Sequence, residues 1–259
     1  MDSPLNSLPA AVRTVRDLTV IPVDDQHLIV VAVDSDGGIG ELPHDTVSCS
    51  AYQLGRFAIR VPLMEVLCSG ATPVAAFDML TVPMNEYGKE ILRGIRSELA
   101  AAGLPDDFPL SGSTEDNVPT TMTGVGTMII GIVQNTDFKP GKALEGARIF
   151  TIGLPKSAPA DQVTVSDPQI VQQSHVLTLN GIDQVHDMLP VGSKGIGWEA
   201  TQLAAAAGLK AELIEPPPLD LKKSAGPNTC LLAAVHAEAE NLLRKQINVP
   251  VTLIGKVIS

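Results

Sequence analysis

Aromatic residues are scarce in this chain: Phe, Tyr and Trp together make up 3% of its 259 residues. Apolar residues still reach 44%, which excludes a disordered chain, so the core must be built from Val, Ile, Leu and Ala. Cysteine is nearly as rare. Cys49, Cys68 and Cys230 form no C-x-x-C pair and lie in apolar stretches. That pattern excludes a disulfide framework and reads as reduced core thiols of a cytosolic protein. Positive charge is also short, with 18 Lys and Arg against 29 Asp and Glu and a net charge of −11. Such a balance argues against a nucleic-acid partner. No apolar run approaches the roughly 18 residues of a transmembrane helix, and the opening MDSPLNSLPAAVR has no basic segment followed by an apolar one. The expectation is a soluble cytoplasmic protein with no membrane partner.

Several chemical signatures are missing as well. There is no G-x-x-x-x-G-K-[ST] phosphate loop, no protein-kinase catalytic loop and no G-x-S-x-G nucleophile elbow. The five histidines show no metal-ligand spacing. One dinucleotide-like pattern, G-x-G-x-x-A over Gly195 to Ala200, has Glu212 at a suitable distance beyond it. The residues before it make a poor strand, and a lone match of this form is weak. His186-Asp187 reads as a helix-terminal histidine beside a capping carboxylate.

What is present begins with residues 28–40, LIVVAVDSDGGIG. Residues 28–33 are a β-branched apolar run suited to a strand buried on both faces. The run ends in Asp34-Ser35-Asp36 and a glycine loop whose Gly37 and Gly38 amides are placed to approach a phosphate. Residues 16–23 read as the preceding strand, with 24–27 as the hairpin loop. Folding that hairpin brings Asp17 beside Asp34, and two carboxylates at one strand end repel unless a cation lies between them. A metal site follows from that juxtaposition.

Further along, residues 45–69 read as a helix capped by Asp45 or Thr46, stopped at Gly70 and kinked or split at Pro62, with Glu65 in its last part. A strand over 73–80 carries Asp78 near its end. A helix over 86–102 leads to a polar loop over 111–120, and another strand spans 122–133. The shift in composition over 137–146 predicts a boundary, with units of residues 1–140 and 141–259. In the second unit the pattern predicts a strand over 148–153 and helices over 167–171, 179–188, 198–207 and 230–244. It adds strands over 209–214 and 249–257, a glycine-rich loop over 192–197 in which Lys194 is either a phosphate contact or a solvated loop lysine, and a loop over 222–229. Alternating strands and helices indicate an α/β (α+β) fold. Asp17, Asp34, Glu65, Asp78, Glu115 and Asp116 recur at the ends of apolar elements. Mg²⁺ is held by one or two carboxylates plus phosphate oxygens and water, so such a set suits a nucleotide triphosphate without a phosphate loop.

The order of these pieces resembles the aminoimidazole-ribonucleotide synthetase superfamily, which includes thiamine-monophosphate kinase and selenide water dikinase. The resemblance runs from Arg16-Asp17-Leu18-Thr19 through Asp34-Ser35, the stretch Glu65 to Pro73 followed by Asp78, and Ser111-Gly112-Ser113-Thr114. It ends at the terminal VPVTLIGKV, and it covers nearly the whole chain. It implies a two-domain synthetase-like fold: an N-terminal domain whose sheet pairs across a homodimer into a β-barrel, and a C-terminal α/β sandwich. It implies ATP and Mg²⁺ as cofactors, with Asp17, Asp34 and Glu65 as metal ligands. Asp34, Asp78 and Asp116 are implied for catalysis, and Asp17, Gly37, Gly38, Gly112, Ser113, Thr114, Lys194 and Gly195 for the nucleotide. The chain departs from the superfamily pattern at Arg16, where relatives often have a second Asp, at Glu65 in place of Asp, and at Ser113 in place of an acid. The absence of a reactive cysteine near an N-terminal glycine loop points away from selenide chemistry. The combination of RDLTVIP, AVDSDGGIG, HDMLPVGSKGIGWEA and SAGPNT is most similar to the alpha-ribazole kinase branch, which implies a small nucleoside as phosphoryl acceptor.

Overall fold

The computed structural model describes residues 12–259. The chain opens with β1 (Arg13–Val15), β2 (Leu18–Pro22) and β3 (His27–Gly37). Short strands β4 (Ile39–Gly40) and β5 (Val47–Ser48) lead to helix α1 (Ala51–Cys68). Next come β6 (Thr72–Leu80), α2 (Glu86–Ala101), β7 (Leu110–Thr114) and β8 (Gly124–Gln134). The remainder holds β9 (Arg148–Ile152), α3 (Gln173–Asn180), β10 (Val185–Pro190), α4 (Gly195–Ala206) and β11 (Lys210–Leu213). It closes with β12 (Leu231–Val235), a 3₁₀ turn at Ala237–Ala239, α5 (Glu240–Gln246) and β13 (Val251–Ile258).

Two sheets carry the architecture. The first runs β1-β2-β3-β8-β6-β7 and the second β10-β12-β9-β13-β11. Every neighbouring pair in the second sheet is antiparallel. The first is open within this chain, with β1 and β7 as its edges. Helices α1 and α2 cover one of its faces and approach through glycines. A β-carbon at Gly55 would sit 2.0 Å from Ile91 O, and one at Gly94 would sit 2.1 Å from Tyr52 O, so no larger residue fits at either place. The opposite face leaves Val33, Met79 and Ile132 exposed. One apolar core runs from Leu18 and Ile59 of the first half through Phe150, Leu231 and Val249 of the second. Arg60, fully buried on α1, bonds Glu98 of α2 at 3.0 Å, Gln172 at 3.3 Å and the carbonyl of Val171. The ion pair with Glu98 and these bonds offset the cost of burying the guanidinium, whose Nε is left without a partner.

The structure corrects several expected elements. The strand expected over 16–23 is broken by the two-residue turn Arg16-Asp17, with Arg16 at φ 55. Helix α1 starts at Ala51 under the Ser50 cap, because Asp45 is engaged elsewhere: its carboxylate accepts from the Leu42 and Thr123 amides at 2.8 and 2.7 Å. Pro62 does not split α1. Proline withholds a donor from the carbonyl four residues back, and that carbonyl, Ala58 O, accepts instead from Thr127 Oγ1 at 2.8 Å. The expected loop at 111–114 is edge strand β7, paired in parallel with β6. Residues expected as helix over 179–188 and 230–244 contain strands β10 and β12, which pair with each other and are buried almost throughout. Among the described residues no helix is long and apolar enough to cross a membrane.

Candidate functional site

Strand β3 alternates with Leu28, Val30 and Ala32 turned into the core. By the period of two, Asp34 and Asp36 continue that inward face past the point where the core ends. They emerge half-buried into a cleft of about 680 Å³. Its opposite wall comes from the second half of the chain: residues 157–164, Gly192 and Ser193 before α4, and the loop Ser224 to Asn228. Ile39, Leu54, Phe57 and Val61 give it an apolar side.

Behind Asp34 lies a set of carboxylates from three elements. Burial raises the Asp34 carboxyl above its ordinary value, and the charge of Asp17 at the first hairpin turn adds to this. Burial pushes Asp36 up to about 6, with Asp34 contributing. Glu65, on the last turns of α1, is pushed up to about 8 by burial and by Asp17, Glu199 and Asp34, against the pull of Arg16. Glu199, on α4, rises to about 7 through burial and Asp17. Like charges brought together this way hold protons or call for a cation. Asp17 thus lies near enough for its charge to act on both Asp34 and Glu65. Sequence reasoning missed Glu199 and left Asp36 without a role. Glu199 lay inside the dinucleotide-like pattern and offered no signal of its own.

No three His, Cys, Asp or Glu side chains among the described residues converge as a ready-made metal cage. A hard cation such as Mg²⁺ does not require one, because phosphate oxygens and water complete its shell. The donor chemistry of Asp17, Asp34 and Glu65 fits such an ion. Cys49 also lines the cleft, and burial with the Asp36 and Glu41 charges pushes its thiol up to about 11. It is a protonated group, unsuited to nucleophilic attack.

Other expected site residues lie elsewhere. Asp34, Thr127 and Asp78 occupy one row across β3, β8 and β6, and α1 is seated on the middle of that row through the Thr127 hydroxyl. Asp34 and Asp78 thus fall on opposite sides of the helix, roughly 10 Å apart at two strand spacings. Asp78 faces a separate hollow of about 180 Å³ with Arg96, Gly112, Ser113 and Thr114, where burial pushes it up to about 6 against the pull of Arg96. Asp116 is exposed and accepts from Met84 N at 2.9 Å and Thr114 Oγ1 at 2.8 Å, a local turn. Gly37 ends β3. The Gly38 amide donates to Thr123 O at 2.9 Å, so it is not free for a phosphate. Lys194 sits at the start of α4 with Nζ 4.4 Å from the Trp198 ring centre, a cation–π contact. Gly195 follows at φ 81 and its amide donates to Gly192 O at 3.3 Å.

The G-x-G-x-x-A pattern does follow a strand, β10, but that strand is antiparallel to its neighbour. The Gly195 and Gly197 amides are bonded to Gly192 O and Leu221 O. The parallel sheet and free helix-start amides of a dinucleotide site are missing there. His186 and Asp187 lie on β10 rather than at a helix end. Asp187 is fully buried and takes both prongs of Arg16, whose Nη1 donates to Oδ1 at 3.0 Å, while the Gly141 amide donates to Oδ2 at 2.9 Å.

Residues 15–133 match the family model described as AIR synthase related protein, N-terminal domain. The chain is 25% identical over 214 residues to the selenide, water dikinase of Pseudomonas putida, covering 76% of this chain and 58% of that protein. It spans little more than half the length of the curated relatives it matches. Among solved structures, T. maritima PurL complexed with AMPPCP is similar at TM-score 0.69 and 17% identity, over 92% of this chain and 42% of that one. The thiamine-monophosphate kinase from Stenotrophomonas maltophilia K279a is similar at TM-score 0.66 and 16% identity, over 94% and 86%. The chain shares the mixed α/β fold of these proteins. The sequence match to the AIR synthase-related family is confined to residues 15–133, and the likeness to the solved structures is one of fold.

Proposed function

We propose that the protein is an ATP-dependent phosphotransferase that phosphorylates a hydroxyl of a small nucleoside, alpha-ribazole being the acceptor the sequence resemblance favours. The observation that carries this reading is a cleft of about 680 Å³ lined by Asp34, whose carboxyl is raised by the charge of Asp17, with Glu65 buried near enough to feel both. T. maritima PurL, a protein of the same fold, is found complexed with AMPPCP, and the similar selenide, water dikinase and thiamine-monophosphate kinase are phosphoryl-transfer proteins by name.

In this reading Asp17, Asp34 and Glu65 hold Mg²⁺ with the triphosphate of ATP. When bound, the ion neutralises phosphate charge, which this acidic site does not do itself. The residues of the chain supply position. Asp34 and Asp36 face the acceptor across the cleft, and the Ser224 to Asn228 loop closes on it from the other side. The acceptor oxygen bonds to the γ-phosphorus as the bond from that phosphorus to the bridging oxygen breaks. The hydroxyl proton leaves to solvent, and a monoester and ADP are formed. Orientation supplies most of the rate in such transfers. The exposed apolar face with Val33, Met79 and Ile132 supports a homodimer in which two first sheets pair. Release of ADP from ATP and Mg²⁺, with and without alpha-ribazole, tests the proposal. Acceptor-dependent release is expected. ADP release with other acceptors alone, thiamine monophosphate among them, would keep the reaction class and change the substrate.

A further inference from the structure

The cleft beside the acid set is lined by three carboxylates, Asp34, Asp36 and Asp161, and among the described residues by no Lys, Arg or His. The lysines flanking it are held elsewhere: Lys156 Nζ lies 2.5 Å from Asp167 Oδ2, and Lys194 Nζ lies 4.4 Å from the Trp198 ring centre. Lys223 precedes the lining residue Ser224, and its Nζ lies 2.9 Å from Asp161 Oδ1. The start of α1 opens beside the cleft at Ser50, but the Ala51 amide donates to the Glu41 carboxylate at 3.1 Å and the Gln53 amide to Ser50 Oγ at 3.4 Å. A carboxylate at a helix N-terminus cancels the partial charge that would otherwise attract an anion. At the start of α4 the Gly195 and Gly197 amides are spent on the carbonyls of Gly192 and Leu221. An anionic group entering this chamber meets carboxylates and no free basic side chain among the described lining residues. The apolar side made by Leu54, Phe57 and Val61 offers a surface for an uncharged ring.

We propose that the cleft selects acceptors that carry no anionic group, and that Asp161 sets this selection by keeping Lys223 paired. This deepens the phosphotransferase reading and rests on it for the role of the bound molecule, though not for its charge. Asp161 is suited to the part because its second oxygen accepts from the Ser157 amide at 2.9 Å. An asparagine keeps that bond through its own oxygen while releasing the lysine. The rule also explains how transfer stops after one turnover of the acceptor: the phosphate added to the hydroxyl makes the product a poor ligand of the site that made it.

The test is calorimetric titration of the full chain, without nucleotide or metal, using two matched pairs: alpha-ribazole with its 5′-phosphate, and thiamine with thiamine monophosphate. In each pair the unphosphorylated member is expected to bind about tenfold or more tightly than the phosphorylated one. Asp161→Asn is expected to erase most of that ratio by freeing Lys223. Lys223→Gln alone should keep the ratio, and the double variant should restore it, which separates a charge effect from damage to the fold. Equal or tighter binding of the phosphorylated members overturns the inference, and so does binding of no member of either pair. Preference for the unphosphorylated member without any ATP turnover would overturn the phosphotransferase reading and leave the charge rule standing. Turnover without the preference would do the reverse.

Discussion

Arg16 and Asp187 stand 171 positions apart in the chain and meet as a two-pronged ion pair, with Arg16 also donating to Met188 O at 3.2 Å. The pair fastens the first hairpin turn, and with it Asp17, to β10 of the second sheet. Replacing one member leaves the other charge buried alone, which costs about 3–5 kcal/mol. Arg16→Ala should lower unfolding stability by that order in urea titration. The double change of Arg16→Met and Asp187→Leu should recover a large part of it.

The division of the acidic residues by α1 separates two variants. Asp34→Asn should cut acceptor-dependent ADP release by about a hundredfold or more, the scale of losing one preorganised electrostatic group, with an unchanged far-ultraviolet dichroism spectrum. Asp78→Asn changes a hollow on the other side of the helix, and its release rate should stay within about threefold. A loss as large as that of Asp34→Asn would unite the two hollows in one mechanism.

The pH dependence of the metal-free protein follows from Asp36, Glu199 and Glu65, raised to about 6, 7 and 8. Acids raised in the folded state hold protons that the unfolded chain has already released. Their contribution to stability is complete below the ordinary carboxylate range and is lost as pH climbs through the raised values. The melting temperature should therefore fall between about pH 5 and 8. Mg²⁺ should raise it more at pH 8 than at pH 6, because metal and protons compete for the same carboxylates. Glu65→Gln should flatten the upper part of that slope. Asp24, Asp161 and Asp167 are lowered instead, and their loss belongs to the acid side of this window.

Thr127→Val keeps the shape of the side chain and removes the hydroxyl that serves Ala58 O beneath Pro62. A buried carbonyl left without a donor costs about 1–3 kcal/mol. Thermal unfolding should show a loss in that range, and Pro62→Ala in the same background should recover part of it by restoring a backbone donor.

Much of the first half was legible in the sequence because local pattern and tertiary role agree there. Strand β8 and helices α1 and α2 carry the apolar periods expected of them, with α1 starting at Ala51 rather than 45; β3 is the strand expected but buries one face rather than two, with Val33 exposed. The second half shows where that agreement fails. The stretch LLAAVHAEAENLLRK over 231–245 is rich in the strong helix formers Leu, Ala, Glu, Arg and Lys, but its first five residues are buried between β10 and β9. Burial on both faces overrides propensity in a run that short. VHDMLP over 185–190 differs: Val, His and Asp are weak helix formers and Pro the worst, so local propensity already disfavoured the expected helix there.

At the site, the nearness of Asp17 to Asp34 was readable because a hairpin fixes the register between its strands. Glu199, Asp161 and the Arg16–Asp187 pair were not, because each depends on how the second half is set against the first. No spacing in the chain encodes that. Arg16, which looked like a departure from a family pattern, has its explanation in a residue on β10.

The two walls of the cleft share an anchor. Arg60 on α1 reaches Asn228 O at 3.5 Å, and Asn228 Nδ2 returns to Val61 O at 3.3 Å, so the loop roofing one wall is bolted to the helix forming the other. The chamber is a mould rather than a jaw: it cannot widen for a bulkier guest without breaking bonds to a buried guanidinium. Changing the size of the molecule it accepts is therefore a matter of trimming side chains such as Phe57 or Ile39, while loosening the Ser224 to Asn228 loop would cost the fold before it changed the fit.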